Sequence, residues 1–422
     1  MNSLFSKLKT LITDKSLRNR VLFVVFALFI FRLLAAIPVP GVDALKISQT
    51  LANNQFFGVF NALSGGGLSN FSIVMLGIGP YITASIIMQL LSMMVPRVKE
   101  LMQESGEAGR KKFNQYVRLL TVPLAALQAF SFIKYLQSQG AIDALSLNAL
   151  TINVIIIVGG SMLLLWIGEL INEFGIGNGT SLIIMAGIIS VMPSKIAQFF
   201  FTFTVAQLPV TILYIAIAVL VIAGVVYIYE AERPVPVTYA RAVRGIRQMA
   251  GNTTYLPLRL AQAGVMPIIF ASSLLLFPQF LSGVFANSSH NILQAVSQGL
   301  QWFLQNTWLY SVVYFLLVVF FTYFYTAVTF DPKQISENLQ KNGAFIPGIR
   351  PGEATMNYLA TIVTRITLVG SVFLGLVAVL PLVVRSGTGI TAFAIGGTSL
   401  LIVVSVVIDL IRKVDAQISL QE

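Results

Sequence analysis

The sequence predicts an all-α membrane protein in which ten transmembrane helices form two inverted-repeat halves. Three observations predict this fold: little charge, ten apolar stretches of membrane-crossing length, and two pairs of matching motifs. Of the 422 residues, 56% are hydrophobic and only 10% are charged, whereas soluble domains carry roughly 25% charged residues. The composition therefore excludes a soluble enzyme and indicates that lipid is the main solvent of the chain.

The apolar stretches are predicted to be helices, because a helix needs about 20 predominantly apolar residues to cross a bilayer. Strands of a membrane barrel would instead alternate between polar and apolar residues. The ten stretches are 21–38, 73–95, 116–138, 151–171, 180–201, 208–229, 264–285, 308–329, 362–384 and 389–412. They divide the chain into a segment 1–20, an N-terminal half 21–201, a C-terminal half 202–414 and a tail 415–422.

The distribution of lysine and arginine predicts the orientation in the membrane. When the N-terminus is placed in the cytosol, 22 of these cations fall on the cytosolic side and 4 on the outer side. Cytosolic loops carry the excess of positive charge in membrane proteins. We therefore expect both termini in the cytosol and an even number of spans.

Two motif pairs predict the internal repeat. Residues 77–85 and 264–272 both read G-x-x-P-x-I-x-A-S, and residues 179–184 and 397–402 both read G-T-S-L-x-I. The first pair joins spans two and seven, and the second joins spans five and ten. An offset of five spans reverses the chain direction, so the halves are related by inverted topology. In transport proteins this arrangement places a pathway between the halves, near the midplane.

Isoleucines of the repeated motifs are candidates to line that pathway. The six candidates are Ile82, Ile86, Ile184, Ile188, Ile269 and Ile402. The first four form two pairs with a spacing of four residues, so the members of each pair share a helix face. Ile269 and Ile402 are the counterparts of Ile82 and Ile184 in the repeat. If they converge, they form an apolar constriction that blocks ions by dewetting; the alternative is that each faces lipid or packs against a neighbouring helix.

The segment 57–71, FGVFNALSGGGLSNF, is apolar but too short to span the bilayer. Its run of three glycines, 65–67, breaks or hinges any helix there. One interpretation is a re-entrant element inside the funnel between the halves, where such backbone is tolerated because protein surrounds it. The other is an amphipathic helix on the outer membrane surface. The pattern does not decide between them.

Two cytosolic loops, 230–258 and 331–358, are long and rich in turn chemistry. In the first, Pro234 and Pro236 end any continuing helix. In the second, Asp331 is a predicted N-cap and Gly343 a predicted C-cap of a short helix. Contact with anionic lipid accounts for the positive charge of these loops. Their length and ordered turns indicate in addition a docking surface for a large partner, with RNA as one option because phosphate pairs well with arginine.

Catalytic chemistry has few residues to work with. The chain has one histidine and no cysteine, and the motifs GxxxxGK[ST], HExxH and GxSxG do not occur. We therefore expect no enzyme activity, no cofactor and no metal site. The runner-up function is an inverted-repeat secondary transporter of a small solute, but such carriers usually place acidic residues or histidine at membrane depth. A membrane-embedded enzyme is the third class.

These segments together resemble the SecY family, the central channel subunits of the Sec protein translocase. The resemblance runs over nearly the whole chain. It rests on the motifs FRLLAAIPVPG, SGGGLSNF, GPYITASIIMQLL, GEAGRKKFNQYVR, YEAERPVPVTYARA, AGVMPIIFASSLLLFP and FYTAVTFDPKQISENLQKNGAFIPGIRPGEAT. It implies a channel that translocates unfolded secretory polypeptides across the bacterial cytoplasmic membrane and releases signal and transmembrane helices laterally into lipid.

The resemblance also implies roles for particular residues. The six isoleucines would form a pore ring, and segment 57–71 would be the plug that closes the external funnel. The plug residues are Phe60, Asn61, Leu63, Ser64, Gly65, Gly66, Gly67 and Leu68. The two loops would dock the SecA ATPase and the ribosome, including its RNA. The docking residues are Arg241, Arg244, Arg247 and Arg350. SecE and SecG would be partner subunits, and secretory precursors the substrates.

Overall fold

Helices dominate the computed structural model of the chain. The described residues are 14–40, 64, 66–68, 71–101, 106–138, 140–143, 145–202, 208–239, 243–244, 247–248, 253–286, 290–388 and 397–419. The helices are α1 (Lys15–Ala36), α2 (Gly79–Met94), α3 (Gly106–Ser138), α4 (Leu147–Phe174), α5 (Gly179–Thr202), α6 (Leu208–Glu230), α7 (Met266–Ala286), α8 (Asn291–Gln305), α9 (Thr307–Thr329), α10 (Pro332–Lys341), α11 (Glu353–Thr388) and α12 (Gly397–Ser419). A single helical turn, Pro96–Lys99, follows α2.

A helix occupies each of the ten predicted stretches, and α8 and α10 are shorter additional helices. Six of the described helices are long and apolar enough to cross a membrane, judged by length and composition, and three further apolar helices are shorter. The start of the second span lies later than predicted. Residues 71–78 form turns, and α2 begins only at Gly79. The prediction that this helix begins at residue 73 was therefore wrong, because apolar composition alone does not distinguish a buried turn from a helix.

The repeated motifs begin their helices at equivalent positions. In the first pair, α2 and α7 both start at the third motif residue, so that Pro80 and Pro267 each occupy the second helical position. In the second pair, α5 and α12 both start at the motif glycine. Proline is tolerated in the first helical turn because its missing amide donor has no partner there. The residues that match between the halves therefore begin their helices in the same way.

Two apolar clusters organise the helices. The central cluster joins α1, α2, α4, α5, α6, α7, α9, α11 and α12. The second, smaller cluster joins α3 and α4 to buried residues of 68–76. Close backbone approach makes the second cluster possible: a Cβ at Gly160 of α4 would overlap the carbonyl oxygen of Ile73. Any side chain at Gly160 would push segment 71–78 away from the helix.

The long loop 230–258 contains a β-hairpin that the sequence analysis did not predict. Strand β1 (Glu232–Tyr239) pairs antiparallel with β4 (Thr253–Arg259), and the short β2 (Val243–Arg244) and β3 (Arg247–Gln248) pair between them. Strand β5 (Ala344–Phe345), from the second long loop, pairs with the other edge of β1, giving the order β4-β1-β5. The two loops are therefore joined into one body.

Prolines in β1 are accommodated by the register of the sheet. Pro234 and Pro236 lie two residues apart, so both lack an amide donor on the same edge of the strand. Strand β5 pairs only with Thr238 and Tyr239 and leaves that edge free of ladder partners beside the prolines. Proline within a sheet is restricted to such unpaired edges. The prolines thus end α6, as predicted, and also fit the strand that follows it.

Candidate functional site

The six isoleucines of the repeat all lie in the central cluster. Five of them are buried, with exposed fractions between 1% and 7%, and Ile82 is half-buried and packs against the same cluster. They come from α2, α5, α7 and α12, which belong to both halves of the chain. The elements that carry the repeat therefore bring their isoleucines to one apolar region.

A cavity of about 230 Å³ opens beside this region, at the end of the helices that carries the sheet. It lies between the start of α5, the end of α6, the β4–α7 connection, α9 and α12. The polar and charged residues that line it include Asn178, Ser181, Arg259, Gln262, Asp409, Arg412 and Lys413. The guanidinium of Arg412 donates a hydrogen bond to the carbonyl oxygen of Tyr229 at 2.7 Å and ties α12 to α6.

The inner lining of the cavity is apolar. Leu182, Val265 and Val406 line it and are also members of the central cluster. Leu182 lies two residues before Ile184, and Val406 lies one helical turn after Ile402. The cavity therefore has a polar mouth beside the sheet and meets the isoleucine-bearing helices at its apolar end.

The described part of segment 57–71 is buried in protein. Ser64 and Leu68 are almost completely buried, and Leu68 and Phe71 are members of the second cluster. Phe60, Asn61, Leu63 and Gly65 lie outside the described residues. The segment after the glycines is attached to the end of α1, because the amide of Val39 donates to Phe71 O at 2.8 Å and the amide of Ile73 donates to Ile37 O at 3.0 Å.

Backbone conformation explains Gly66 in that segment, and close contacts explain Gly67. Gly66 has a left-handed φ of +78°, and a Cβ there would lie 3.6 Å from both the Arg32 guanidinium and the Val191 side chain. A Cβ at Gly67 would lie 2.7 Å from the Ser72 hydroxyl and 3.0 Å from the Ser64 carbonyl oxygen. Gly67 therefore has no room for a side chain.

Arg32 connects α1 to α5 beside this segment. Its guanidinium donates a hydrogen bond to the hydroxyl of Ser190 at 3.2 Å, and that hydroxyl donates to Gly187 O at 2.7 Å. Arg32 belongs to the motif FRLLAAIPVPG of the first predicted span. Its position next to Gly66 is a tertiary relationship, and no local sequence signal predicts it.

The sheet and the second long loop form one body of β1, β4, β5, α10 and the start of α11, which we call the docking body after the role predicted for these loops. Its small core contains Val235, Val237, Leu258, Ala344, Ile346, Leu359, Ile362 and Val363. Asp331 caps α10 as predicted, since its carboxylate accepts the amides of Lys333 and Gln334 at 2.9 and 3.2 Å. Helix α10 ends at Lys341, and Gly343 follows with a left-handed φ of +67°.

Arg350 lies on the surface of the docking body, in a turn that is held from both sides. Its carbonyl oxygen accepts the Thr355 hydroxyl at 2.9 Å, and the Ser336 hydroxyl donates to Gly352 O at 2.7 Å. The Arg350 side chain is exposed. Arg244 and Arg247 occupy paired positions of the β2–β3 hairpin, and Arg241 lies outside the described residues. The body thus displays one arginine on a rigid turn.

An ion pair joins α3 to α4 and was missed by the sequence analysis. The Arg118 guanidinium and the Glu169 carboxylate approach to 2.5 Å, and their side chains are 47% and 29% exposed. The two residues are far apart in sequence, so no motif spacing connects them. No group of three His, Cys, Asp or Glu side chains that could hold a metal ion occurs in the part of the chain that the structure describes.

The fold and the site together define a multi-span membrane protein of the channel class, with a polar mouth that meets an apolar region between two halves. A sequence model of the SecY family matches residues 72–411. The chain therefore belongs to the SecY family. Members of this family are channel subunits of a translocase rather than enzymes. Membership of the family therefore argues against the alternative function, a secondary transporter of a small solute.

Curated relatives extend this similarity to nearly the whole chain. The protein translocase subunit SecY of Thermus thermophilus is 44% identical over 416 residues, which cover 96% of this chain and 93% of the relative. The protein of the same name from Thermotoga maritima is 40% identical over 412 residues, covering 94% and 92% of the two chains.

Solved structures share the fold at lower identity. A protein-conducting channel matches with a TM-score of 0.64 and 20% identity, over 96% of this chain and 93% of the other. A SecY protein whose plug domain stabilises the closed state of its channel matches with a TM-score of 0.65. Canine Sec61, in a ribosome–channel complex, matches with a TM-score of 0.59 and 18% identity. The fold class predicted from the sequence is confirmed.

Proposed function

We propose that this chain forms the protein-conducting channel of a bacterial translocase. It passes unfolded secretory polypeptides across the cytoplasmic membrane and releases signal and transmembrane helices laterally into lipid. The observation that carries the proposal is the continuity between the polar cavity and the isoleucine-bearing helices. The translocase subunits that are 40% and 44% identical to the chain support the same function.

In this function the six isoleucines act as a pore ring. An apolar constriction excludes ions because water is unstable in a narrow apolar passage. The ring offers no polar group that would hold one substrate side chain more strongly than another, so polypeptides of many sequences slide through it. Work must come from outside the channel, since the chain has no nucleotide-binding motif.

Segment 57–71 serves as the plug of the resting channel. Support comes from the burial of Ser64 and Leu68 and from the position of Gly66, where a Cβ would lie 3.6 Å from the Arg32 guanidinium. Glycine permits backbone conformations and close approaches that other residues do not. The segment can therefore pack tightly against the surrounding helices and still be released, because only non-covalent contacts hold it there. A polypeptide in the channel displaces the plug.

The docking body binds the SecA ATPase and the ribosome, with Arg350 as its central contact. An arginine on a rigid turn presents a bidentate donor with little loss of conformational freedom on binding. Arg241, Arg244 and Arg247 add positive charge for ribosomal RNA and for anionic lipids. SecE and SecG are the partner subunits in the membrane. The canine ribosome–channel complex, which has the same fold, is in line with docking of a ribosome.

The orientation follows from the charge distribution. With 22 cations on one side and 4 on the other, both termini and the docking body lie in the cytosol. This places the polar mouth of the cavity on the side where precursors are made. The membrane is the bacterial cytoplasmic membrane.

A site-specific crosslinking scan tests the proposal. A photoreactive residue replaces Ile82, Ile402 or, as a control, Leu220 of α6, whose side chain is 72% exposed on the outer surface of the helices. A stalled secretory precursor should crosslink at positions 82 and 402 and not at 220. Crosslinks of equal yield at all three positions, or transport of a small solute with no crosslink at 82 and 402, would overturn the proposal.

A further inference from the structure

Helix α8, between α7 and α9, takes no part in the pore, the plug or the docking body. It has 15 residues, NILQAVSQGLQWFLQ, and none of them is charged. Its length of about 22 Å is too short to cross a hydrocarbon core of about 30 Å. It lies at the end of α7 remote from the sheet, because β4 precedes the start of α7. Its composition and position call for a separate explanation.

One face of α8 packs on the protein. Ser297 is buried, and its hydroxyl donates a hydrogen bond to the carbonyl oxygen of Ser282 in α7 at 2.8 Å. Leu293, Leu300 and Leu304 share this face and are half-buried. The position of α8 is therefore fixed against the end of α7.

Apart from half-buried Phe303, whose side chain packs against the central cluster, the rest of α8 divides into an apolar and a polar exposed face. Ile292 and Val296 are 80% and 44% exposed, and Ala295, Gly299 and Trp302 extend the same apolar face. The polar face has the positions Asn291, Gln294, Gln298, Gln301 and Gln305, all of them exposed. A helix on a soluble surface needs only two faces, one towards protein and one towards water. The third, exposed apolar face needs another solvent.

The neighbouring helix identifies that solvent as lipid. The apolar face of α8 leads at Trp302 to α9, which begins at Thr307. Trp308, Val312, Leu316 and Phe320 of α9 form an exposed apolar stripe with a spacing of four residues. Such a stripe on a membrane-crossing helix faces lipid. Tryptophan is enriched where the hydrocarbon core meets water, and two of the three tryptophans in the chain are Trp302 and Trp308.

We propose that α8 lies in the membrane–water interface, with Ile292, Val296 and Trp302 in the lipid and its glutamine face in water. The partner of this surface is the lipid bilayer itself. Because Ser297 joins α8 to Ser282, the interfacial position of α8 holds the end of α7 at a fixed depth. The proposal concerns the exposed faces of α8 and does not depend on what the channel transports.

Spin labelling tests this placement in the full chain, which has no cysteine and so gives a single label at each introduced one. Four variants, Ile292→Cys, Val296→Cys, Gln294→Cys and Gln298→Cys, are labelled and reconstituted in phosphatidylcholine vesicles. Collision with oxygen, which partitions into lipid, is compared with collision with a water-soluble nickel chelate. The oxygen-to-nickel ratio should be severalfold higher at 292 and 296 than at 294 and 298.

A charge placed on each face gives a second readout. In the labelled Val296→Cys background, Ile292→Glu should raise the nickel accessibility at 296, because a carboxylate on the lipid face pulls the helix towards water. Gln298→Glu, on the water face, should leave it unchanged. High nickel accessibility at both 292 and 296 without the added charge would place α8 in water and overturn the proposal. Labels at 292 and 296 that neither reagent reaches would show a protein partner on this face and would overturn it as well.

Discussion

Gly77 and Gly264 adopt the same left-handed backbone, with φ of +57° and +58°, two residues before α2 and α7 begin. Each closes a turn of the same size: the Gly77 amide donates to Val74 O at 2.8 Å, and the Gly264 amide donates to Ala261 O at 3.2 Å. The two halves therefore share backbone geometry at these positions as well as sequence. This equivalence supports the matching of Ile82 with Ile269.

Gly264→Ala should destabilise the chain by about 1–2 kcal/mol, since a left-handed residue with a Cβ is strained by that amount. A Cβ at Gly264 meets no atom within 4 Å, so the cost would come from the backbone alone. Gly299→Ala is the matched control: Gly299 lies within α8, and a Cβ there also meets no atom. That variant should stabilise by about 0.5–1 kcal/mol. Unfolding in detergent measures both, and equal stabilities would contradict the backbone argument.

The ion pair between Arg118 and Glu169 should contribute more than a solvated pair. A double-mutant cycle with Arg118→Gln and Glu169→Gln is expected to give a coupling free energy of about 1 kcal/mol, at the upper end for partly exposed pairs. The control pair is Lys111 and Glu107 on α3, separated by 3.3 Å with side chains 75% and 86% exposed. Its coupling should be about 0.3 kcal/mol. A larger coupling for the control pair would show that burial does not determine the difference.

Gly67→Ala should loosen the plug segment, because the new Cβ would lie 2.7 Å from the Ser72 hydroxyl. Overpacking of this kind costs about 1–3 kcal/mol, and we expect vesicles with this variant to leak ions at rest. Adding Ser72→Ala removes the closest atom and should restore part of the seal. Ion flux from loaded vesicles is the measurement. A tight Gly67→Ala channel, or a double variant that leaks more than the single one, would argue against this packing.

Ile402→Asn should loosen the closed channel, and Ile269→Asn, also in the C-terminal half, should do the same. Both isoleucines are buried, and an amide placed in an apolar site without a hydrogen-bond partner costs about 1–3 kcal/mol in the closed state. The expected result is export of precursors with defective signal sequences, measured as secretion of a reporter. The control Ile402→Leu keeps the site apolar and should retain normal selectivity. Unchanged selectivity in both asparagine variants would remove these residues from the ring.

The helices were predictable because their signals are local. A stretch of about 20 apolar residues is sufficient to predict a membrane span. Likewise, Asp331 followed by Pro332 predicted α10 at its observed start. The sheet was missed because its strands are paired across distance: β5 joins β1 from a different loop. Proline-rich sequence argues against a central strand, and only the register shows how Pro234 and Pro236 fit.

The site was predictable only where the repeat provided a second copy of the pattern. The spacing of Ile82 and Ile86 fixes a shared helix face but not what that face meets, which depends on the packing of α5, α7 and α12. The pairing of Arg118 with Glu169 and the contact of Arg32 with Ser190 are long-range relationships of the same kind. Packing of the apolar clusters brings these residues together, and no local sequence pattern indicates which residue each one will contact.

Arg350→Glu should abolish docking of the cytosolic partner while the chain stays folded. The turn that carries Arg350 is stabilised through backbone oxygens, namely Arg350 O and Gly352 O, which the substitution leaves in place. The side chain is exposed, so reversing its charge does not disturb the core of the docking body. The matched control is Lys341→Glu, an exposed cation at the end of α10 in the same body. Binding of the ATPase and of ribosomes to reconstituted vesicles is measured together with precursor translocation. We expect Arg350→Glu to lose partner binding and translocation. Lys341→Glu should keep most of both activities, because Lys341 lies outside the rigid turn. Equal losses in the two variants would mean that net charge, and not the placement of Arg350, governs docking.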